Sequence, residues 1–243
     1  MISIITVVFN GAKYLEETIK SVINQSYDNV EYIIIDGSST DGTLDIIKKY
    51  DDQIDYWVSE SDRGIYDAMN KAIELACSTW INFMNVGDFF YSKEVLFKVF
   101  RQSEKYEDID FIYSDTMLDG KVLFSCDIKT NKIIHQSLIY RKEIHQDKGL
   151  YLVSKKLLIS DYLFFMLSKD KNWYKSDVVI SNYNTHGLSS KYFSLHFKQK
   201  IGVDLLFNNL SIKQAGISLL VYPYYGNFKI IIKNILKYLG LRD

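Results

Sequence analysis

The feature that most constrains the fold is the regular alternation, over the first 90 residues, of short apolar runs with amphipathic stretches. Residues 2–9 form a continuous apolar run rich in β-branched side chains, the pattern of a strand buried on both faces. Leu15, Ile19, Val22 and Ile23 then recur at helical spacing, so residues 12–25 are predicted to form a helix with one buried stripe. Residues 31–35 read as a second strand, 42–50 as a helix and 55–59 as a third strand. Residues 65–76 read as a helix burying Ile65, Met69, Ala72, Ile73 and Ala76, and 80–84 as a fourth strand. Alternation of this kind with short connections predicts an α/β fold: a mostly parallel central sheet flanked by helices.

Polar residues gather where the strands end. Asn10 follows the first, Asp36 the second, Glu60 and Asp62 the third, and Asp88 the fourth. Open α/β sheets bind ligands outside the carboxyl ends of their strands. Four such clusters at four consecutive strand ends therefore predict one shared pocket.

The second half is less regular. Residues 92–101 and 157–167 have helical apolar spacing, while 110–113, 121–124 and 178–181 read as short strands. A last amphipathic helix is expected at 227–239, with Ile231, Ile235 and Leu239 on one stripe and Lys229, Lys233 and Lys237 on another. Charge is unevenly placed. From Lys191 onward there are eight Lys/Arg against two acids, and before it twenty-one against twenty-eight. A domain over 1–190, divided into halves at about residue 90, followed by a basic C-terminal helical extension over 191–243, is the expected organisation. The extension suits either an anionic membrane surface or packing against the protein body.

Several classes are excluded or weakened. A net charge of -1 argues against nucleic acid as the main partner. The first turn, Asn10-Gly11-Ala12-Lys13, lacks the glycine pattern of a dinucleotide-binding dehydrogenase, and no P-loop motif occurs. No early glycine-rich basic loop suggests a sugar nucleotidyltransferase. Cys77 and Cys126 fit no metal spacing, and Cys77, ending an apolar helical stretch, is expected to be buried. The chain starts without a basic leader, and no run reaches the roughly 18 apolar residues of a membrane span. The cytoplasm, with peripheral attachment to the inner face of the membrane, is the expected location.

Three segments together resemble the inverting glycosyltransferases of family 2, which have the GT-A (Rossmann-like) fold. They are Ile4-Ile5-Thr6-Val7-Val8-Phe9-Asn10, Glu31-Tyr32-Ile33-Ile34-Ile35-Asp36-Gly37-Ser38-Ser39-Thr40-Asp41-Gly42-Thr43, and Ser59-Glu60-Ser61-Asp62-Arg63-Gly64-Ile65-Tyr66-Asp67-Ala68-Met69-Asn70-Lys71-Ala72. The resemblance is close over 2–90 and loose over 130–190. It implies a UDP-sugar donor, with Thr6, Phe9 and Asn10 walling the base pocket and Asp36 accepting the uracil imide N–H. Asp-Gly is also a turn signal, so Asp36 has a purely local reading as well. Asp62 and Arg63, before a helix start, would meet the ribose or diphosphate. Asp41 reads as a helix cap.

Asp88 would position Mn²⁺ or Mg²⁺ against the diphosphate, and Asn85 would contact the donor. The family usually offers paired acids here, and Gly87 replaces the first of them. Asp161, entering an apolar helix, would be the general base for the acceptor hydroxyl, although an acid at a helix start is common in any protein. His135, Gln136 and His186 would line the donor–acceptor junction. The implied acceptor is a glycan, linked to polyprenyl diphosphate, in surface polysaccharide assembly. The competing expectation is a non-catalytic sugar-nucleotide or glycan-binding homologue.

Overall fold

A computed structural model describes residues 1–101 and 103–219. The elements are β1 (Ile2–Val8), α1 (Ala12–Ile23), β2 (Val30–Asp36), α2 (Thr43–Lys49), β3 (Tyr56–Ser59), α3 (Ile65–Leu75), β4 (Trp80–Phe83), β5 (Phe89–Phe90) and α4 (Val95–Phe100). They continue as β6 (Phe111–Tyr113), β7 (Thr116–Leu118), β8 (Val122–Phe124), β9 (Leu138–Arg141), α5 (Ile144–Lys148), α6 (Ser160–Leu167), β10 (Trp173–Lys175), β11 (Ser181–Tyr183), α7 (Leu188–Lys191) and α8 (Phe193–Leu206). The chain divides into two units, Met1–Lys191 and Tyr192–Asp243. The first holds both sheets. In the second, α8 carries an ion pair between Lys200 and Asp204, four residues apart.

The main sheet has seven strands in the order β10-β6-β9-β4-β1-β2-β3. β1 lies parallel to both β2 and β4, and β2 is parallel to β3, as the alternating pattern predicts. All seven residues of β1 are buried, because helices cover both faces of a central parallel strand. Leu15, Ile19 and Val22 of α1 are buried on the same core as Ile2, Ile4, Tyr32 and Ile34. Burial of each such side chain stabilises the fold by roughly 1.5–3 kcal/mol relative to exposure. The carboxyl edge of these strands is therefore a firm platform.

The second half departs from the sequence expectation. β9 is a buried strand that no alternation signals, and it runs antiparallel to both β4 and β6. β10 is likewise added beside β6, with Trp173 stacked on Phe111 at 3.9 Å. A separate four-stranded sheet, β5-β11-β7-β8, holds the strand expected at 178–181, which lies instead at Ser181–Tyr183. Cys77 is exposed rather than buried. Ala76, also buried, ends the apolar stripe, and the Cys77 N–H turns to donate to Glu31. The helix expected at 227–239 lies outside the described residues. Among the described residues no helix is long and apolar enough to cross a membrane.

Candidate functional site

Strand direction assembles the site. Because β1, β2, β3 and β4 are parallel, the segments leaving them meet at one edge of the sheet. Because β9 is antiparallel to β4, the 3₁₀ turn His135–Ser137 that precedes it arrives at the same edge. Asn82 in β4 fixes that turn: its side-chain amide donates to the Gln136 carbonyl at 3.2 Å and to the Leu138 carbonyl at 2.7 Å. Segments more than fifty residues apart thus share one rim.

One end of the rim is built on β1 and β2. Asn10 has a positive φ of 51°, its N–H donates to the Ser39 hydroxyl, and its carboxamide oxygen accepts the Thr40 N–H at 2.9 Å. The Phe9 ring stands 64% exposed. Gly37 lies between them and Asp62. A Cβ at Gly37 would come within 2.5 Å of Asp62 Oδ2 and 3.4 Å of the Phe9 ring, so only glycine allows this close approach. Asp62 also accepts the Gly64 N–H at 2.8 Å, a local turn that aims its second oxygen at Gly37. Phe9, Asn10, Gly37 and Asp62 form a shallow shelf with an aromatic face and a carboxylate edge.

Two residues expected on this shelf lie beneath it. Thr6 is fully buried, its hydroxyl donating to the Met84 carbonyl at 2.8 Å and lying 3.0 Å from the Tyr32 hydroxyl. Asp36 is also fully buried. Its carboxylate accepts from the Ser39 N–H at 3.0 Å, the Ser39 hydroxyl, and the Ser59 hydroxyl at 2.6 Å. These three donors take most of its acceptor sites and organise the loop. Asp41 bridges two helix starts, accepting the Ala12 N–H and the Thr43 N–H, each at 3.1 Å. Arg63 is a largely exposed side chain folded back on Asp67 at 2.7 Å; its hydrogen bonds hold the Asp67 carboxyl below its ordinary value.

Asp88 lies at the centre. It is buried, and its Oδ1 accepts the Asn184 N–H at 2.8 Å. Burial pushes its pKa up to about 8, opposed by the Asn184 N–H and the Gln136 side chain. Its own N–H donates to the Asn85 carbonyl at 2.9 Å in the same turn, and the buried Asn85 Oδ1 has no hydrogen-bond partner among the described residues. The Asp88 carboxylate and the orphaned amide oxygen of Asn85, three residues before it in the same turn, offer oxygen donors only. Such a set fits a hard divalent cation that completes its shell with phosphate and water. Among the described residues no three His, Cys, Asp or Glu side chains converge on one point. Gly87, in place of the usual first acid, has φ 93°, and a Cβ there would lie 3.2 Å from the Asn184 amide. His186 is exposed in the same loop, its N–H donating to Asn184 Oδ1 at 2.9 Å.

Asp161 begins α6. The Tyr66 hydroxyl from α3 donates to its Oδ1 at 2.7 Å, and His135 Nδ1 lies 3.4 Å from its Oδ2. Burial raises its pKa, but His135 when protonated, together with Tyr66, outweighs burial and holds the carboxyl below its ordinary value. The Asp161 side chain is 26% exposed and His135 only 5%, so the carboxylate is the more accessible member of the pair. Sequence reasoning missed Tyr66, which sits in the third motif, and Tyr151, whose hydroxyl lies 3.3 Å from His135 Nε2. A tyrosine in so aromatic a chain gives no separate signal.

Comparison with known proteins follows this geometry. The family description "Glycosyl transferase family 2" matches residues 3–148. A PGL/p-HBAD biosynthesis glycosyltransferase of Mycobacterium bovis is 29% identical over 168 residues, covering 65% of this chain and 66% of the relative. Among solved structures, residues 1–349 of S. aureus TarS in complex with UDP-GlcNAc superpose with a TM-score of 0.72 at 19% identity, covering 85% of this chain and 65% of that one. The mannosyltransferase PcManGT from Pyrobaculum calidifontis, in complex with GDP-Man and Mn²⁺, gives a TM-score of 0.65 at 15% identity, covering 90% and 69%. The chain thus spans slightly under two thirds of the M. bovis relative and of the TarS fragment, and it shares with both solved structures the GT-A fold.

Proposed function

This chain belongs to glycosyl transferase family 2, and from that premise we propose that it moves a hexose or N-acetylhexosamine from a UDP-sugar to a sugar hydroxyl of a glycan, with inversion. The observation that carries this reading is the carboxylate of Asp161, oriented by Tyr66, partly exposed on the rim that also holds Gln136 and Asp88. The Phe9, Asn10, Gly37 and Asp62 shelf would take the nucleobase, with the Phe9 ring as stacking surface and Asp62 as acceptor for an imide N–H. Asp88 and the orphaned Asn85 oxygen would hold Mg²⁺ or Mn²⁺, which supplies charge neutralisation to the departing diphosphate. Asp161 accepts the proton of the acceptor hydroxyl as that oxygen attacks the anomeric carbon. Attack from the face opposite the diphosphate, with no enzyme nucleophile between, inverts the configuration.

Residues 1–90 would form the donor half and 91–190 the acceptor half. The basic composition of 191–243 supports a lipid-linked acceptor at an anionic membrane surface, in assembly of a surface glycoconjugate. Removal of 227–243 should then release the protein from anionic vesicles; retention would contradict the membrane role.

Calorimetric titration of UDP and GDP, each with Mn²⁺ and with chelator, tests the donor reading. Metal-dependent binding of UDP, lost in Asp88→Ala, is expected, followed by UDP release from a UDP-sugar in the presence of a glycan acceptor. Binding of neither nucleotide would favour a non-catalytic homologue.

A further inference from the structure

A hydrogen-bonded chain runs from the site to a backbone carbonyl. The Tyr151 hydroxyl lies 3.3 Å from His135 Nε2 and 2.7 Å from the Tyr140 hydroxyl. Tyr140 in turn lies 3.0 Å from His145 Nε2, and His145 Nδ1 lies 3.0 Å from the Gly149 carbonyl oxygen. All four side chains are buried.

A carbonyl oxygen only accepts, so the far end sets the direction of every bond. Burial pushes the His145 pKa down to about 4, outweighing the hydrogen bond to the Gly149 carbonyl that raises it, so this ring carries one proton at neutral pH. Gly149 fixes that proton on Nδ1. His145 Nε2 then accepts from Tyr140, which spends the Tyr140 proton. The Tyr140 oxygen accepts from Tyr151, whose own proton is spent in turn. Burial keeps both phenols protonated. The Tyr151 oxygen can therefore only accept from its remaining partner, and His135 Nε2 must be the donor.

When His135 carries a single proton, that proton is on Nε2 and the bare lone pair of Nδ1 faces Asp161 Oδ2 at 3.4 Å. Two acceptors then face each other, and the contact becomes a hydrogen bond only when one proton is placed between them. The other neighbours of His135 are the rings of Phe83, at 4.9 Å, and Phe165, at 5.2 Å, which offer no competing donor. Tyr66 is already committed to the other Asp161 oxygen.

We propose that His135 and Asp161 accept the acceptor proton as one unit, with Asp161 receiving it and His135 Nδ1 as its final seat. The inference rests on the glycosyltransferase reading above. In the step, the acceptor O–H bond breaks and its electron pair forms the bond to the anomeric carbon. The donor C–O bond breaks with its electrons leaving on the diphosphate. The proton passes through the carboxylate to Nδ1, and an imidazolium–carboxylate pair replaces two opposed lone pairs. Tyr151, Tyr140 and His145 are positioning residues that hold the other His135 proton away from this seat.

The test is long-range ¹H–¹⁵N correlation spectroscopy of the full chain labelled in its four histidines, with His135→Gln and His145→Gln as assignments. At about pH 8.5, above the ordinary imidazole range, His135 should carry its proton on Nε2 and His145 on Nδ1. Tyr140→Phe frees the Tyr151 hydroxyl to donate, and should move the His135 proton to Nδ1. Tyr151→Phe, which removes the acceptor itself, should do the same and serves if the first variant does not fold. A wild-type His135 protonated on Nδ1, or a tautomer unchanged in the folded variants, overturns the inference. In a variant whose tautomer has moved, kcat should fall about tenfold with donor KM unchanged, since the proton's seat is filled; an unchanged kcat overturns it as well. The spectra need no substrate. Wild-type protein with the expected tautomers but no transfer to any acceptor would instead overturn the glycosyltransferase reading, and with it the source of the proton.

Discussion

The Tyr66 hydroxyl donates to Asp161 Oδ1 at 2.7 Å across 95 residues of sequence. Tyr66 lies in the first turn of α3, just past the glycine-bounded loop that carries Asp62, and Asp161 opens α6. The bond ties the Asp62 side of the rim to the carboxylate proposed as base. A phenol kept protonated by burial is a suitable clamp, because it donates without bringing a competing charge.

If Asp161 is the base, Asp161→Asn keeps the size and the hydrogen bonds but removes the proton acceptor. Transfer should fall by about 10²–10⁴-fold, with UDP affinity, measured by calorimetry, changed less than about twofold. Lost donor binding would show that Asp161 acts in the donor site instead. Tyr66→Phe should cost about tenfold in kcat, because the carboxylate remains but loses the hydrogen bond that orients it.

Asp88 makes the pH dependence specific. Its folded pKa of about 8 stands above the ordinary value of 3.8, so between these values the folded chain binds a proton that the unfolded chain does not. The Asp88 contribution to stability is therefore complete below about pH 4 and lost as pH rises towards 8. Urea denaturation of the metal-free protein at pH 5 and pH 8 should show this loss, and Asp88→Asn should flatten it. A cation held by Asp88 needs the ionised form, so binding of Mn²⁺ with UDP at pH 7 should release close to one proton. Titrations in buffers of different ionisation enthalpy measure that release, and no release would remove Asp88 from the metal site.

The first 90 residues were legible because β1 and β2 are seven residues long and largely buried, and Asn10, Asp36, Asp62 and Asp88 lie at or just after strand ends. The sequence could not tell which of these polar groups face outward. Asp36 and Asp62 look equivalent in the chain, yet the first is buried and accepts from two serines, while the second is turned over Gly37. Residues 91–190 were less legible: β6 was read at 110–113, but β9 and β10, four and three residues long, are too short for a periodic signal. The reversed direction of β9 depends on pairing, which local propensity does not record. The buried chain through Tyr151, Tyr140 and His145 left no trace at all, since its partners come from β9, α5 and a loop.

Gly37 offers a test of the shelf. Gly37→Ala adds a Cβ that would sit 2.5 Å from Asp62 Oδ2, so the carboxylate must move away from the Phe9 ring. UDP affinity should drop by about tenfold, the loss expected when one buried hydrogen bond to a ligand is misplaced. The melting temperature should change little, because Asp62 is partly exposed and can rotate towards solvent. An unchanged Kd for UDP would mean that the base does not rest here.

Restoring the usual first acid at position 87 should fail to strengthen metal binding. Gly87 has φ 93°, a conformation that strains any residue with a Cβ, and that Cβ would meet the Asn184 amide at 3.2 Å. Asn184 is the residue whose N–H holds Asp88, so a push against it displaces the remaining ligand as well. Gly87→Asp should therefore lower stability by about 1–3 kcal/mol in urea denaturation and weaken Mn²⁺-dependent UDP binding. Gly87→Ala, which adds the Cβ without the charge, should reproduce most of the stability loss. If Gly87→Asp instead binds Mn²⁺ more tightly at equal stability, the glycine is a simple loss of a ligand and the loop has room for a second acid. If both variants are destabilised together, the backbone at this turn, with Asn184 packed upon it, is what excludes the acid.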